Sequence, residues 1–440
     1  MARKHPKGLP ILFFTEMWER FSYYGMRAIL VLYITKEAIG NNPGLGWSNS
    51  DALALYGWYT MLVYVMSIPG GILADRVLGQ KKTVLIGGIL IALGQLTLAI
   101  DNMISFYSGL TLLILGVGAL KPNISTMVGG LYREGDPMRD KGFTIFYIGI
   151  NIGAASAPLL VGYIGETIGW HFGFGLAGIG MILGLFVYVW GQKYLETVGN
   201  YVPAKKIEGT KTNAPLTKIE KDRVIVLLIS FIIVIVFWAA YEQAGGLMNL
   251  YTKEKINRVV FGYEIPASIF QSVPALFVII FGTPVAAFWV KHQLKGKESS
   301  SLYKMAIGTI ITGFGFLLMS GASLEAASGQ KAMLLWLVGA YLLHVIGELS
   351  ISPVALSFIT KLAPVKYASI MMGVYFAATG LGNKLAGIVG EFATQAGEFE
   401  IFTGIFVFCV LFGILLLVFF KKLKALTHGA EDLKLEHEEA

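Results

Sequence analysis

Long apolar stretches separated by short polar ones run through the whole chain. Each approaches or exceeds the ~20 residues that an α-helix needs to cross a bilayer. They occupy roughly residues 9–35, 52–74, 83–101, 103–128, 141–165, 172–190, 223–250, 267–290, 302–321, 332–360, 367–393 and 400–421. The pattern predicts an all-α integral membrane protein with 12 transmembrane helices.

A polar stretch divides these segments into six and six. We therefore predict an N-terminal six-helix bundle at 1–191, a cytoplasmic linker at 192–222, a C-terminal six-helix bundle at 223–424 and a cytoplasmic tail at 425–440. Lysine-rich polar chain with prolines is typical of a linker between bundles.

The loop charges predict the orientation in the membrane. Basic residues collect on one predicted side: Arg3, Lys4, Lys7, Arg76, Lys81, Lys82, Arg133, Arg139, Lys141, Lys291, Lys295, Lys297, Lys361, Lys366, Lys421, Lys422 and Lys424. Cytoplasmic loops carry an excess of lysine and arginine, so both termini are expected in the cytoplasm. The opposite side carries Asp101, Glu166, Glu391 and Glu398.

The composition agrees with a membrane protein and argues against other classes. Hydrophobic residues make up 55% of the chain and charged residues 14%, against ~25% charged in globular domains. The net charge of +7 is spread over loops, so no nucleic-acid partner is expected. Neither a metal-ligand cluster nor a nucleophile beside a base is evident, so we expect no enzyme and no cofactor. We expect a multi-pass protein in the lipid bilayer of the cell (plasma or inner) membrane.

The first apolar segment carries Glu16, Glu19, Arg20 and Arg27. An ionisable group at membrane depth costs from ~2.5 to more than ~10 kcal/mol, so such groups normally face a bundle interior and mark a substrate or proton path. Glu16, Arg20 and Arg27 share one helical face with Tyr24. This face is therefore expected to line something polar.

Depth along each segment indicates which polar side chains meet. At ~1.5 Å per residue from the cytoplasmic end, five residues fall at roughly 15–18 Å, near the middle of a ~30 Å core. They are Arg20, Tyr64, Lys121, Asn151 and Glu348. Arg27 and Glu242 both fall at roughly 27 Å. We predict an ion pair between them that closes the outer side until protonation of Glu242 or arrival of substrate weakens it.

The loop after the second segment reads Gly71-Ile-Leu-Ala-Asp75-Arg76-Val-Leu-Gly79-Gln-Lys81-Lys82. It resembles the loop signature GxLADRxxGxKK of the major facilitator superfamily, and the six-plus-six layout is also similar. The resemblance implies the major facilitator fold, in which two six-helix bundles rock about a site near the membrane midplane.

A second set of motifs resembles one branch of that superfamily, the proton-coupled oligopeptide transporters (POT/PTR). The first helix carries Thr15-Glu16-Met-Trp-Glu19-Arg20-Phe-Ser-Tyr23-Tyr24-Gly25-Met-Arg27, similar to the family's ExxER motif. Further similar motifs in both halves are Leu120-Lys121-Pro122-Asn123, Phe146-Tyr147-Ile-Gly-Ile150-Asn151, Phe237-Trp238, Glu242-Gln243, Gly347-Glu348-Leu349 and Gly382-Asn383.

The resemblance implies a proton-coupled symporter that imports di- and tripeptides by alternating access, with the proton gradient as its energy source. We also expect the protein to function as a monomer. In the family, residues matching Arg20, Tyr24 and Lys121 bind the peptide carboxylate, and those matching Asn151 and Glu348 bind the amino end. Those matching Tyr64 and Trp238 shape side-chain pockets. Coupling and gating are implied for Glu16, Glu19, Arg20, Arg27 and Glu242, and Arg27 is also expected at the substrate site.

Three positions stand outside this picture. Pro274 lies where many members carry Asn, which removes one expected partner of the peptide amino end. Gly57 lies where some animal members carry His, so proton coupling cannot use that group. Lys384 is a further charge at membrane depth to which no role is assigned.

Other interpretations stay open. Gly153-Ala-Ala-Ser-Ala-Pro158 loosely resembles an antiporter motif, which would fit a proton-driven exporter. A transporter of nitrate or of peptide-like solutes with the same fold, or a membrane sensor that does not transport, are further alternatives.

Structural roles are alternatives at several of the single positions. Glu19 and Arg20 could form a structural pair, although neighbouring residues are not expected to face each other on a helix. Lys121 could extend towards the cytoplasm, and Asn151 could serve neighbouring backbone groups. Tyr24 could be a packing residue.

Overall fold

The structure is a computed structural model that describes residues 5–133, 136, 138–201, 216–364 and 367–431. The first half consists of α1 (Gly8–Thr35), α2 (Asn49–Val65), α3 (Ser67–Leu73), α4 (Gln80–Leu98), α5 (Met103–Gly130), α6 (Met138–Ala157), α7 (Tyr163–Thr167) and α8 (Trp170–Trp190). Turns of π-helix at Ala74–Leu78 and Pro158–Gly162 continue α3 and join α6 to α7, and a 3₁₀ turn at Gly191–Tyr194 follows α8.

The second half consists of α9 (Lys218–Tyr241), α10 (Leu247–Lys255), α11 (Ser272–Leu294), α12 (Ser301–Ala327), α13 (Leu334–Leu362), α14 (Ala368–Ala396) and α15 (Glu398–Ala425). The 3₁₀ turns at Glu242–Ala244 and Ala267–Gln271 follow α9 and precede α11. Between α10 and α11 lies a short antiparallel hairpin of β1 (Val259–Val260) and β2 (Tyr263–Glu264).

The prediction of an all-helical membrane protein is confirmed. Every apolar segment predicted from the sequence coincides with a helix or with helices joined by a tight turn. In the described part of the chain, ten helical stretches are long and apolar enough to cross a membrane. Helix α1 is equally long but carries Glu16, Glu19, Arg20 and Arg27. Parts of the predictions lie outside the described residues: Arg3, Lys4, Lys366, linker residues 202–215 and tail residues 432–440.

The described chain begins and ends at the same end of the helix bundle, which we call the proximal end. There His5 Nδ1 lies 2.9 Å from Tyr132 Oη, and Arg223 Nε donates a hydrogen bond to Thr427 O at 3.0 Å. We call the opposite end the distal end. There the side chain of Asn49 donates a hydrogen bond to Glu254 across the two halves at 3.2 Å.

The two halves touch closely where α2 crosses α14. A Cβ atom added to Gly387 would lie 2.7 Å from Gly57 Cα, and one added to Gly57 would lie 2.9 Å from Gly387 Cα. Small residues let membrane helices approach to backbone contact. This contact is the physical reason for glycine at position 57, because any side chain there would push the two halves apart.

We expect Gly387→Leu to destabilise the protein by about 1–3 kcal/mol, the usual cost of forcing atoms into a packed interface. Unfolding of the purified protein in detergent, followed by heating, measures this effect. Gly404→Leu is the matched control, since it also lies within a helix but has nothing within 4 Å of an added Cβ. Equal loss of stability in both variants would contradict the importance of the crossing.

Candidate functional site

A cavity of about 80 Å³ lies between the two halves. Seven residues proposed from the sequence line it: Tyr24, Arg27, Tyr64, Asn151, Trp238, Glu242 and Glu348. They come from α1, α2, α6, α9, the turn after α9, and α13, so six elements of both halves contribute. The volume is small for an organic ligand, since such sites usually measure about 300–1,000 Å³. The halves must therefore separate further to admit one.

The distal wall of the cavity contains a buried ion pair between the halves. Arg27 Nη2 lies 2.9 Å from Glu242 Oε2. Tyr56 bridges the pair, since its hydroxyl accepts a hydrogen bond from Arg27 Nε at 2.7 Å and donates one to Glu242 Oε2 at 2.9 Å. The exposed fractions of Arg27 and Glu242 are 8% and 3%. The depth count thus predicted the contact correctly, and burial strengthens both the attraction and the cost of losing one partner.

A second carboxylate faces the cavity from α13. Glu348 Oε2 accepts a hydrogen bond from the Tyr241 hydroxyl at 2.5 Å, which fixes its position. Across the cavity, Asn151 donates to Tyr147 O at 2.9 Å. The backbone contact considered for Asn151 therefore exists, although the side chain also lines the cavity. Its amide oxygen is an acceptor, the kind of group that an amino group of a ligand needs.

Aromatic rings from the two halves face each other at the same place. The ring centroids of Tyr64 and Trp238 are 6.5 Å apart, a typical separation for an aromatic pair. Lys121 Nζ lies 3.8 Å from the centroid of the Tyr64 ring. Lys121 therefore points towards the cavity wall, and the alternative in which it extends to the proximal end is wrong.

Glu16, Glu19, Arg20 and Lys121 lie beside the cavity rather than in its lining. Arg20 Nε is 3.1 Å from Glu16 Oε1 and also contacts Glu19 Oε2. The expectation that Glu19 and Arg20 would not face each other is wrong, because the long arginine side chain folds back onto its neighbour. Both carboxylates and the guanidinium group are buried.

This cluster has unused hydrogen-bonding capacity. Among the described residues, Arg20 Nη2, Glu16 Oε2 and Glu19 Oε1 are buried without a hydrogen-bond partner. Buried polar atoms are normally paired, and each exception calls for an explanation. An arginine donor of this kind suits a carboxylate ligand, and the free carboxylate oxygens suit a proton.

Among the described residues, all cationic groups of the site belong to the first half, whereas the second half contributes only carboxylates. Arg20, Arg27 and Lys121 lie in the first half together with Glu16 and Glu19, both of which contact Arg20, and Glu242 and Glu348 lie in the second. A molecule with an anionic and a cationic end can therefore bridge the two halves. Such a ligand has differential contacts with the closed and open states, which is what a ligand needs to shift a conformational equilibrium.

The sequence analysis missed three polar residues at this site, namely Tyr56, Tyr241 and Gln271. Helical spacing offered a signal for two of them, because Tyr56 lies eight residues before Tyr64 and Tyr241 three residues after Trp238. Gln271 donates to Ala244 O at 2.7 Å from the turn before α11, where no helical periodicity identifies it.

The structure also places two residues that the motifs left unexplained. Pro274 lines the cavity on the first turn of α11, so this wall is apolar where an amide was expected. Lys384 Nζ lies 4.7 Å above the Trp58 ring across the two halves and 3.8 Å from Glu391 Oε1. Lys384 is thus a paired residue of the α2–α14 contact and does not line the cavity.

Comparisons with known proteins agree on one family. The family model described as the POT family matches residues 81–208 and 204–404. An uncharacterized transporter of Bacillus subtilis, YclF, is 39% identical, and the alignment covers 87% of this chain and 88% of the relative. A di-/tripeptide transporter of Lactococcus lactis is 34% identical over 94% of this chain and 95% of the relative.

Solved structures are similar over nearly the whole length of both chains. A crystal structure of a peptide transporter POT in complex with sulfate matches with a TM-score of 0.89 and 35% identity, covering 97% of this chain and 96% of the other. A POT family transporter in complex with 5-aminolevulinic acid matches with a TM-score of 0.88 and 30% identity, covering 96% and 98%.

Proposed function

The chain belongs to the POT family of membrane transporters, and from this premise we propose that it is a proton-coupled symporter that imports di- and tripeptides by alternating access. As a member of a transporter family it is not an enzyme. The division of fixed charges across the cavity carries the proposal. The named function of the Lactococcus lactis relative, a di-/tripeptide transporter, supports it. So does 5-aminolevulinic acid, which carries an amino and a carboxyl group, in a similar structure.

In this proposal the two charged ends of a peptide bind to opposite halves. Arg20 Nη2 and Lys121 bind the carboxylate with Tyr24, because a guanidinium offers a fork and an ammonium a point charge to an anion. Glu348 binds the amino group with Asn151. Tyr64, Trp238 and Arg27 surround the side chains, which vary between substrates while the two ends do not.

Proton coupling follows from competition for the same charges. Glu16 and Glu19 have buried oxygen atoms without partners among the described residues, and a proton on either would release Arg20 for the substrate. A proton on Glu242 would remove the attraction that holds Arg27. The driving energy then comes from the proton gradient, and no cofactor takes part.

We further propose the major facilitator arrangement of 12 transmembrane helices in the cell membrane, acting as a monomer. The proximal end is assigned to the cytoplasm because described basic residues such as Arg76, Lys81 and Lys297 lie there. The distal end, closed by Arg27 and Glu242, is then the outer one. Peptide enters when this end opens and leaves when the proximal end opens.

Uptake of labelled dialanine into liposomes that contain the purified protein tests the proposal. We expect accumulation above the external concentration under an inward proton gradient, and we expect a protonophore to abolish it. Empty liposomes with the same gradient are the control. Absence of accumulation by folded protein would contradict peptide symport and favour nitrate, peptide-like solutes or export, each tested in the same liposomes.

A further inference from the structure

A separate group of hydrogen bonds joins the halves at the distal end. The carboxylate of Glu166, on α7, accepts hydrogen bonds from Ser268 N at 2.7 Å, Ser268 Oγ at 2.5 Å and Ala267 N at 3.2 Å. Ser268 and Ala267 begin the 3₁₀ turn that leads into α11. Both are completely buried, so their N–H and hydroxyl groups rely on Glu166 as the acceptor.

The first half holds Glu166 in place for this contact. Asn42, in the left-handed region at φ 54°, donates to Gly165 O at 2.8 Å and accepts from Trp170 N at 3.0 Å. It therefore braces the end of α7 against the start of α8. At Gly162 an added Cβ would lie 2.4 Å from Ser268 Oγ, so only glycine allows this approach.

The second half connects the same contact to the cavity. The turn Ala267–Gln271 runs directly into α11, whose Pro274 and Ala275 line the cavity. The side chain of Gln271 also reaches Ala244 O, in the turn that begins with Glu242. A movement of α11 away from Glu166 would therefore change the cavity wall as well.

We propose that Glu166 and Ser268 form a second latch of the distal end, a positioning pair that must separate whenever this end opens. The inference rests on the alternating access of the proposed function. The latch differs from the Arg27–Glu242 pair in its donors, which are two backbone N–H groups and one hydroxyl. It sets how firmly the distal end is closed, whereas the ion pair makes the closure respond to protons and substrate.

Distances between spin labels at the distal end test the latch. Labels on Ile39→Cys and Leu335→Cys, which are 88% and 75% exposed on opposite halves, report opening in a Cys409→Ala background. A hydrogen bond to a charged group is strong enough that its weakening should shift the equilibrium. Glu166→Gln should therefore raise the ratio of molecules with the long, open distance to those with the short, closed distance about tenfold. Ser268→Ala should raise it in the same direction. The effect of the double variant should be smaller than the sum of the two single effects, since both substitutions change the same group of hydrogen bonds.

Asn49→Ala is the matched control, because it removes a hydrogen bond between the same halves at the exposed rim. Its distance distribution should stay that of the parent. Unchanged distances in Glu166→Gln and Ser268→Ala, or strictly additive changes, would overturn the latch. Glu242→Gln is measured alongside to separate this failure from failure of the proposed function. If Glu242→Gln lengthens the distances while the two latch variants do not, the distal end opens as the proposed function requires and only the latch is wrong.

Discussion

Glu242→Gln is expected to abolish accumulation of dialanine under a proton gradient while exchange of labelled for unlabelled peptide continues. The amide cannot take up a proton, so the proposed step that ties proton entry to opening would be lost. It also leaves Arg27 buried without its counter-charge, and breaking such a pair costs ~3–5 kcal/mol, which corresponds to a shift of roughly 100- to 4,000-fold towards the open distal end. Gradient-driven uptake and counterflow in the same liposomes measure the two activities.

Glu254→Gln is the matched control for this experiment. Glu254 is another carboxylate that joins the halves at the distal end, but it is exposed and bonded to Asn49. Exposed pairs contribute little, so uptake should remain close to that of the parent. An equal loss of uptake and exchange in Glu242→Gln would refute a specific coupling role and indicate a general defect.

The fold could be predicted well because the length and apolarity of membrane helices identify them in the sequence. The predicted segment at 103–128, for example, became Met103–Gly130, and that at 302–321 became Ser301–Ala327. The segment at 223–250 was less accurate. There the chain turns after Tyr241 and resumes as α10, because the 3₁₀ turn at Glu242–Ala244 brings Glu242 to Arg27. Hydropathy averages over such turns and cannot detect them.

For the site, the sequence predicted only the depth of each residue in the membrane, which is one of three coordinates. Depth correctly paired Arg27 with Glu242, because both charges stand out from an apolar surrounding. Rotation about each helix axis and the reach of long side chains are not determined by depth. This is why Arg20 was found folded back onto Glu19, and Lys121 against the Tyr64 ring, beside the cavity rather than within its lining.

Residues that act through backbone partners were the hardest to anticipate. Glu166 was assigned only to the acidic side of the membrane, and nothing in the sequence near Ser268 marks it as its partner. The contact depends on Gly162 and on the brace by Asn42, so it arises from the assembled halves. Two pairs therefore close the distal end. The Arg27–Glu242 ion pair could be predicted from the sequence, whereas the Glu166–Ser268 hydrogen bonds could be found only in the structure.

The assignment of the peptide ends leads to the sharpest test of binding. Glu348→Gln keeps an oxygen that can accept the Tyr241 hydroxyl, but removes the charge that is proposed to bind the amino group. Hydrogen bonds to charged groups are worth ~1.5–3 kcal/mol, so the Kd for dialanine should rise by roughly 10- to 100-fold. N-acetyl-dialanine lacks the amino charge, and its weaker binding should change little. Competition against a labelled peptide measures both values.

Lys121→Met should show the opposite selectivity, because it removes a charge proposed for the carboxylate while preserving much of the side-chain volume. The affinity for dialanine should again fall roughly tenfold or more, whereas the affinity for dialanine amide, which lacks the carboxylate, should fall little. Lys384→Met removes another lysine at membrane depth, but Lys384 contacts Trp58 and Glu391, which do not line the cavity, whereas Lys121 contacts the cavity residue Tyr64. This control should leave the binding of all three ligands unaffected. If each analogue lost as much affinity as dialanine, the two ends of the peptide would be wrongly assigned to the two halves.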